Sequence, residues 1–236
     1  MISNESERVF ELPPSVVAAS TDTRGTYDDR LNRILEAAAA VIARDGYEKA
    51  SMRSVAKAAH VSLAGLYHYF DSKEKMLFLI QFRTFNSLLN GLREKLHGVT
   101  DPVRQLEVMV RNHVGYFAAN MAALKVCSHE LDSLSGEAYD ETRSIRRDYY
   151  ELTRGILDKL LTARDPGEPI DGHVATMSLF GMLNWLYRWY EPKRGRSPAM
   201  IADQIVALLL CGLNQSADGQ STRSRRGATA GDRAEK

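Results

Sequence analysis

Residues 51–70 read SMRSVAKAAHVSLAGLYHYF. Ser51 can cap a short helix running to about Ala59, because its hydroxyl can accept N–H groups left orphaned in the first turn. Val55, Ala56 and Ala59 give that helix a small apolar inner face. Ala59-His60-Val61 forms a tight turn. Ser62 then caps a second short helix, with Leu66 and Tyr69 on its inner side. Two short helices joined by a turn of about three residues, with alanine on the packing face, make a helix-turn-helix. The small residues let the helices cross closely. The second helix then projects from the surface, where it can enter a major groove about 12 Å wide.

The flanking sequence is helical throughout. Leu31, Ile34, Leu35, Ala38, Val41 and Ile42 recur at threes and fours, and Gly46 follows as a stop. Lys73–His97 predicts a longer helix carrying Phe78, Phe82, Phe85, Leu89, Leu92 and Leu96. Thr100 or Asp101 can cap the next helix, with Pro102 in its first turn and Val103, Leu106, Val110, Val114 and Phe117 on its apolar face. A further segment reaches about Leu131. Gly136–Arg164 is long, charged and amphipathic, and Asp165-Pro166-Gly167 ends it. Asp171–Trp189 and Ser197–Leu213 are strongly apolar, separated by Pro192, Gly195 and Pro198. No stretch alternates at period two, and no internal repeat is present.

The expected fold is therefore all-α. Residues 25–72 form a three-helix DNA-binding domain with the helix-turn-helix. Residues 73–214 form a helical domain for ligand binding and dimerisation. Residues 1–24, with Pro13-Pro14, read as a disordered arm, and residues 215–236, with Arg223, Arg225 and Arg226, as a disordered tail.

The chain of 236 residues has a net charge of +1, which favours no partner. The distribution is more informative. Between Arg24 and His97 there are 12 Lys and Arg against 8 Asp and Glu, whereas from Gly98 onward 18 face 18. Phosphate contacts need such an excess only locally. Cys127 and Cys211 do not suggest a disulfide framework, and they suit a reducing cytoplasm. The longest stretch without a charged residue, Gly172–Tyr187, has 16 residues, short of the roughly 20 needed to span a bilayer. No signal peptide is legible, so a cytoplasmic protein without a membrane partner is expected.

Enzyme chemistry lacks its usual residue patterns. There is no Gly-rich phosphate loop, Cys-x-x-Cys or His-Glu-x-x-His, and His129-Glu130 has no second histidine one turn on. No catalytic residue, metal ligand or cofactor is assigned. A helical adaptor that touches no DNA is the competing reading.

From Asp29 to about Leu79 the sequence resembles the DNA-binding domain of the TetR family of bacterial regulators. The resemblance rests on Asp45-Gly46-Tyr47 at the end of the first helix and Ser51 at the start of the second. It also rests on Tyr67-His68-Tyr69-Phe70 followed by Lys73. By position it implies that Ser62, Leu63, Ala64 and Gly65 face base edges. Tyr67 and His68 would lie beside the phosphate backbone, Lys73 would meet a phosphate, and Ser51 and Arg53 would touch backbone or groove. Two departures stand out. His60 occupies a turn position where the family usually has glycine, a cost in left-handed backbone. Ala64-Gly65 replaces a common Gly followed by Ser or Thr. Thymine methyl contact and DNA shape must then carry more of the specificity.

The resemblance also implies a homodimer, with the two last helices pairing with their twins, as a palindromic double-stranded operator requires. The usual outcome is repression relieved by a small-molecule effector; activation on the same fold is the alternative. Residues 184–190, NWLYRWY, crowd four rings, an amide and a guanidinium together. Followed by Pro192, they resemble TetR-type regulators that answer to acyl-coenzyme A thioesters of fatty acid, aromatic or steroid catabolism. Arg188, Lys193, Arg194 and Arg196 can then meet coenzyme phosphates, or else form a solvated loop. The expected ligand contacts are Arg111, His113, Tyr116, Phe117 and Met121 on the middle helices, with Met177, Phe180, Asn184, Trp185 and Arg188 beyond them.

Overall fold

A computed structural model describes residues 21–163, 170–192 and 195–214 of the protein, and no strand occurs among the described residues. The helices are α1 (Thr21–Asp45), α2 (Met52–Ala58), α3 (Leu63–Tyr67), α4 (Lys73–Leu96) and α5 (Pro102–Ala119). They continue as α6 (Met121–His129), a 3-10 turn over Leu131–Ser133, α7 (Gly136–Ala163), α8 (Gly172–Asn184), α9 (Leu186–Trp189) and α10 (Pro198–Asn214).

α1 forms where the three-and-four spacing places it: Ile34, Ala38, Val41 and Ile42 are all buried. It ends at Gly46, whose φ of +82° needs glycine and whose N–H reaches the Ile42 carbonyl at 2.8 Å. Its start lies at Thr21, so Thr21–Arg24 are helical rather than part of an arm. Residues 1–20, the tail from 215 and the Asp165–Gly167 break lie outside the described residues, as do Lys193 and Arg194. Asp101 caps α5, accepting from Arg104 N–H at 3.0 Å, with Pro102 in the first turn. Asp171 caps α8 in the same way through Val174 N–H at 2.9 Å.

The expected single helix over Asp171–Trp189 is broken. Trp185, with φ −78° and ψ −6°, ends α8 and starts α9. The ψ near zero departs from the α ladder, and the new direction buries Leu186 while Trp185 stays outside.

Two hydrophobic cores result. The head core gathers Ile34, Val55, Leu66 and Phe70 with Met76, Leu77 and Ile80 of α4. The body core gathers Leu88, Leu89 and Leu92 of the same α4 with Leu106, Val110, Leu157 and Leu183. Each such side chain contributes about 1.5–3 kcal/mol on burial. α4 is thus a single rod anchored in both cores. Val126 of α6 and Leu134 beyond it cross over into the head core.

Candidate DNA interface and effector site

The helix-turn-helix is fixed by local hydrogen bonds. Ser51 and Ser54 satisfy each other's backbone N–H groups at 3.1 and 3.0 Å, a reciprocal cap on α2. At the far end, Val61 N–H reaches Ala56 O at 3.0 Å and His60 N–H reaches Lys57 O at 3.3 Å. That pair is a Schellman stop, which places His60 in the left-handed region at φ +55°. The cost anticipated for His60 is therefore present. Ser62 Oγ accepts from Gly65 N–H at 3.0 Å. A Cβ on Gly65 would itself lie 3.0 Å from that hydroxyl, so glycine keeps the cap uncrowded.

This scaffold sorts the faces of α3. Leu66 and Phe70 are buried, and Tyr69 stacks on Tyr27 of α1 with ring centroids 5.0 Å apart. Ser62, Ala64, Tyr67 and His68 are exposed, as are Ser51 and Arg53, while Leu63 and Gly65 are half-exposed. Tyr67 keeps 51% of its surface in water, and its ring stacks on none among the described residues. Lys73 differs from the rest. Its ammonium donates to the Tyr47 carbonyl at 3.1 Å and the Glu48 carbonyl at 3.5 Å, and lies 4.1 Å from the centre of the Tyr47 ring. It clamps the start of α4 to the turn between α1 and α2.

Other polar contacts join head to body, and the sequence alone did not reveal them. The Glu130 carboxylate accepts from Tyr47 N–H at 3.2 Å and from Ser133 Oγ at 3.0 Å. The Glu130 carbonyl accepts from the buried Gln81 amide at 2.9 Å. Lys125 donates to the Ala43 carbonyl. Ser135 donates to Glu74 through both its N–H and its hydroxyl, at 2.8 and 2.7 Å.

In the body, the expected ligand residues divide into groups. His113 is buried among Phe117, Tyr149 and Phe180, with ring centroids 4.8, 5.9 and 6.1 Å away. Its Nδ1 lies 3.2 Å from the Tyr149 hydroxyl, and its Nε2 is buried without a hydrogen-bond partner. Burial pushes its pKa down to about 3 although Asn184 favours the charged form, so the ring is neutral near pH 7. Burial likewise pushes the Tyr149 phenol up. Tyr149 is not among the expected ligand contacts, although Thr142, Tyr149 and Ile156, all buried, recur at sevens along α7.

Tyr116 faces elsewhere, toward Thr84 and Ser87, and burial raises its pKa. Met121 is half-buried against the body core. Arg111 is exposed and pairs with Asp203 of α10 at 2.8 Å. Met177 of α8 and Trp185 just beyond its end are exposed, and Arg188 lies 5.6 Å from the Trp185 ring. A second unforeseen residue is Arg146. It is half-buried, donates to the Cys127 carbonyl at 2.8 Å and stands 5.0 Å from the Phe85 ring. Desolvation lowers its pKa and raises that of Cys127 to about 12.

Comparison with known proteins agrees with this geometry. The family model "Bacterial regulatory proteins, tetR family" matches residues 34–80, and "Tetracyclin repressor-like, C-terminal domain" matches residues 99–213. The crystal structure of a TetR-family transcriptional regulator from Bordetella parapertussis 12822 is 32% identical, with a TM-score of 0.71. The match covers 78% of this chain and 95% of that one. The chain belongs to the TetR family. Membership makes this TetR regulator a helix-turn-helix transcription factor rather than an enzyme.

The HTH-type transcriptional repressor KstR2 of Rhodococcus jostii (strain RHA1) is 27% identical to this TetR regulator over 193 residues. The match spans 81% of this chain and 94% of KstR2. The structure of AibR in complex with isovaleryl coenzyme A and operator DNA is 27% identical, with a TM-score of 0.67, over 76% of this chain and 97% of AibR. No described helix of this TetR regulator is long and apolar enough to cross a membrane. Among its described residues no cluster of three or more His, Cys, Asp or Glu could hold a metal ion.

Proposed function

We propose that this TetR regulator is a homodimeric repressor that binds a palindromic operator and releases it when an acyl-coenzyme A thioester enters the body. The observation that carries the reading is the division of α3, with Leu66 buried and Ser62, Ala64, Tyr67 and His68 exposed. An element so held presents side chains to base edges and phosphates. Ser51 and Arg53 are exposed on the head as well, and Lys73, already bound to two carbonyls, retains one N–H for a phosphate.

Support for the dimer comes from α8 and α10. Val174, Met177 and Trp185 are exposed on one, and Met200 and Leu208 on the other, with Leu208 at 67%. Large apolar side chains so placed in two helices suit an interface. A two-fold axis then sets both recognition helices about 34–36 Å apart, or a family variant of that spacing.

Support for the effector comes from His113. Its buried Nε2 closes no hydrogen bond of ordinary length, with the Asn184 side chain as a polar neighbour, among rings that suit an acyl chain, and a thioester carbonyl would satisfy an N–H there. The likeness to AibR, solved with isovaleryl coenzyme A, supports that ligand class. Arg188 and Arg196 are exposed where coenzyme phosphates could be met. A ligand that fits one arrangement of the body shifts α4, and a differential affinity of about 1–3 kcal/mol suffices to change operator occupancy about tenfold.

The test is a titration of protein bound to its own genomic fragment with coenzyme A thioesters of graded chain length, alongside thermal shifts. Release of DNA and a rise in Tm by at least one thioester are expected. No stabilisation by any of them at excess would remove the acyl-coenzyme A reading and leave DNA binding standing.

A further inference from the structure

Between head and body lies a cavity of about 350 Å³, bounded by α1, α4, α5 and the start of α6. That volume is within the range of small-molecule sites. The cavity is separate from the His113 cluster, since none of His113, Phe117, Tyr149 and Phe180 lines it.

Its chemistry centres on Arg83. One guanidinium nitrogen, Nη1, is out of water without any hydrogen-bond partner, and Nη2 meets Asp28 only at 4.0 Å. A guanidinium cannot shed its charge, so a buried N–H without an acceptor is costly and an incoming anion would relieve it. Neutral donors stand nearby: Tyr116, interacting with Thr84 and Ser87, and Asn32 at the mouth. Leu35, Ala39, Leu79 and Ile80 supply apolar wall. Glu36, exposed and also on the wall, is an opposing charge, as is Asp28.

We propose that this seam cavity is a second ligand site, taking a small organic carboxylate whose anionic end meets Arg83 and whose short carbon chain lies on Leu35, Leu79 and Ile80. The site borders elements of both cores, so its occupant touches helices of the head and of the body together. It stands independently of the acyl-coenzyme A reading.

The experiment is calorimetric titration of the full chain with sodium hexanoate, using hexanamide as the uncharged isostere. Saturable hexanoate binding is expected, with Kd at or below roughly 1 mM for so small a ligand, and at least tenfold weaker binding of hexanamide. Arg83→Gln should bring hexanoate down to the level of the amide. Glu36→Gln should tighten it severalfold by removing one opposing charge. Ser87→Phe, which fills the cavity from an exposed position, should abolish it in a protein that stays folded although the Ser87 contact with Tyr116 is lost, so the proposal stays testable if the Arg83 variant folds poorly. Equal binding of hexanoate and hexanamide would overturn the proposal. So would undiminished binding by folded Arg83→Gln, or loss of binding in His113→Phe, which would move the carboxylate to the body cluster.

Discussion

His60 is the non-glycine residue with positive φ among the described residues, and it sits in the turn of the helix-turn-helix. Left-handed backbone costs an L-residue about 1–2 kcal/mol, most for β-branched side chains. His60→Val should therefore lower stability by about 1 kcal/mol, read as a drop in Tm of about 2–4 °C. His60→Gly should raise it by less than that, because glycine's freedom in the unfolded chain offsets part of the relief. Equal Tm for both variants would mean the Schellman stop does not constrain this residue. At His113 the prediction concerns pH. A folded pKa of about 3, below the ordinary 6.5, means that the unfolded chain takes up the proton first as pH falls. Stability is then lost below about pH 6.5. Between pH 7.5 and 5.5 this group contributes a loss of roughly 1 kcal/mol. Denaturant titrations of wild type and His113→Gln should differ in pH slope by that amount. Parallel slopes would show that the ring is not buried neutral.

Lys73 and Arg53 show what is legible residue by residue. Both are cations near the expected DNA surface, and sequence position treats them alike. Only the fold shows that Lys73 is engaged with Tyr47, 26 residues earlier, while Arg53 is free in solvent. Arg53→Ala should flatten the log-log salt dependence of DNA binding by about 0.9 per protomer, about 1.8 for the dimer, with Tm unchanged. Lys73→Ala should in addition cost about 1–2 kcal/mol of stability by losing a charged hydrogen bond. A Lys73→Ala protein as stable as wild type would show that the clamp contributes nothing.

At the scale of elements, the two short helices were readable because their signals are local. Ser51 and Ser62 cap within three residues, and the stop at His60 closes within five. The break at Trp185 was not readable, since the same run of apolar residues fits one straight helix and only the burial of Leu186 in the body decides it. Arg146 was lost for a similar reason: on a charged amphipathic helix it reads as solvated. The expected ligand residues of α8 separated because one helix has two sides, Phe180 toward His113 and Met177 and Trp185 outward. That outward side yields its own prediction. Leu208→Glu should convert a dimer to a monomer in light scattering and lower operator affinity at least tenfold, because half the contacts are lost. A Leu208→Glu protein that remains dimeric would place the interface elsewhere.

Over the whole molecule, α4 joins the two cores, with Met76 and Leu77 in one and Leu89 and Leu92 in the other. Glu130, Lys125 and Glu74 hold the body to the head beside it. A rod anchored at both ends passes displacement in one core to the other, because packed interiors yield little. The central claim is that the exposed side of α3 reads DNA, and Ala64 tests it most directly. It is exposed, supports no hydrogen bond through its side chain, and lies near the start of the helix, where an acid does not destabilise. The measurement is the affinity of Ala64→Glu for the genomic fragment that wild type retains, with Tm recorded on the same samples. The account predicts a loss of at least a hundredfold at unchanged Tm. Wild-type affinity in Ala64→Glu, or no genomic fragment retained by the wild type, would contradict it.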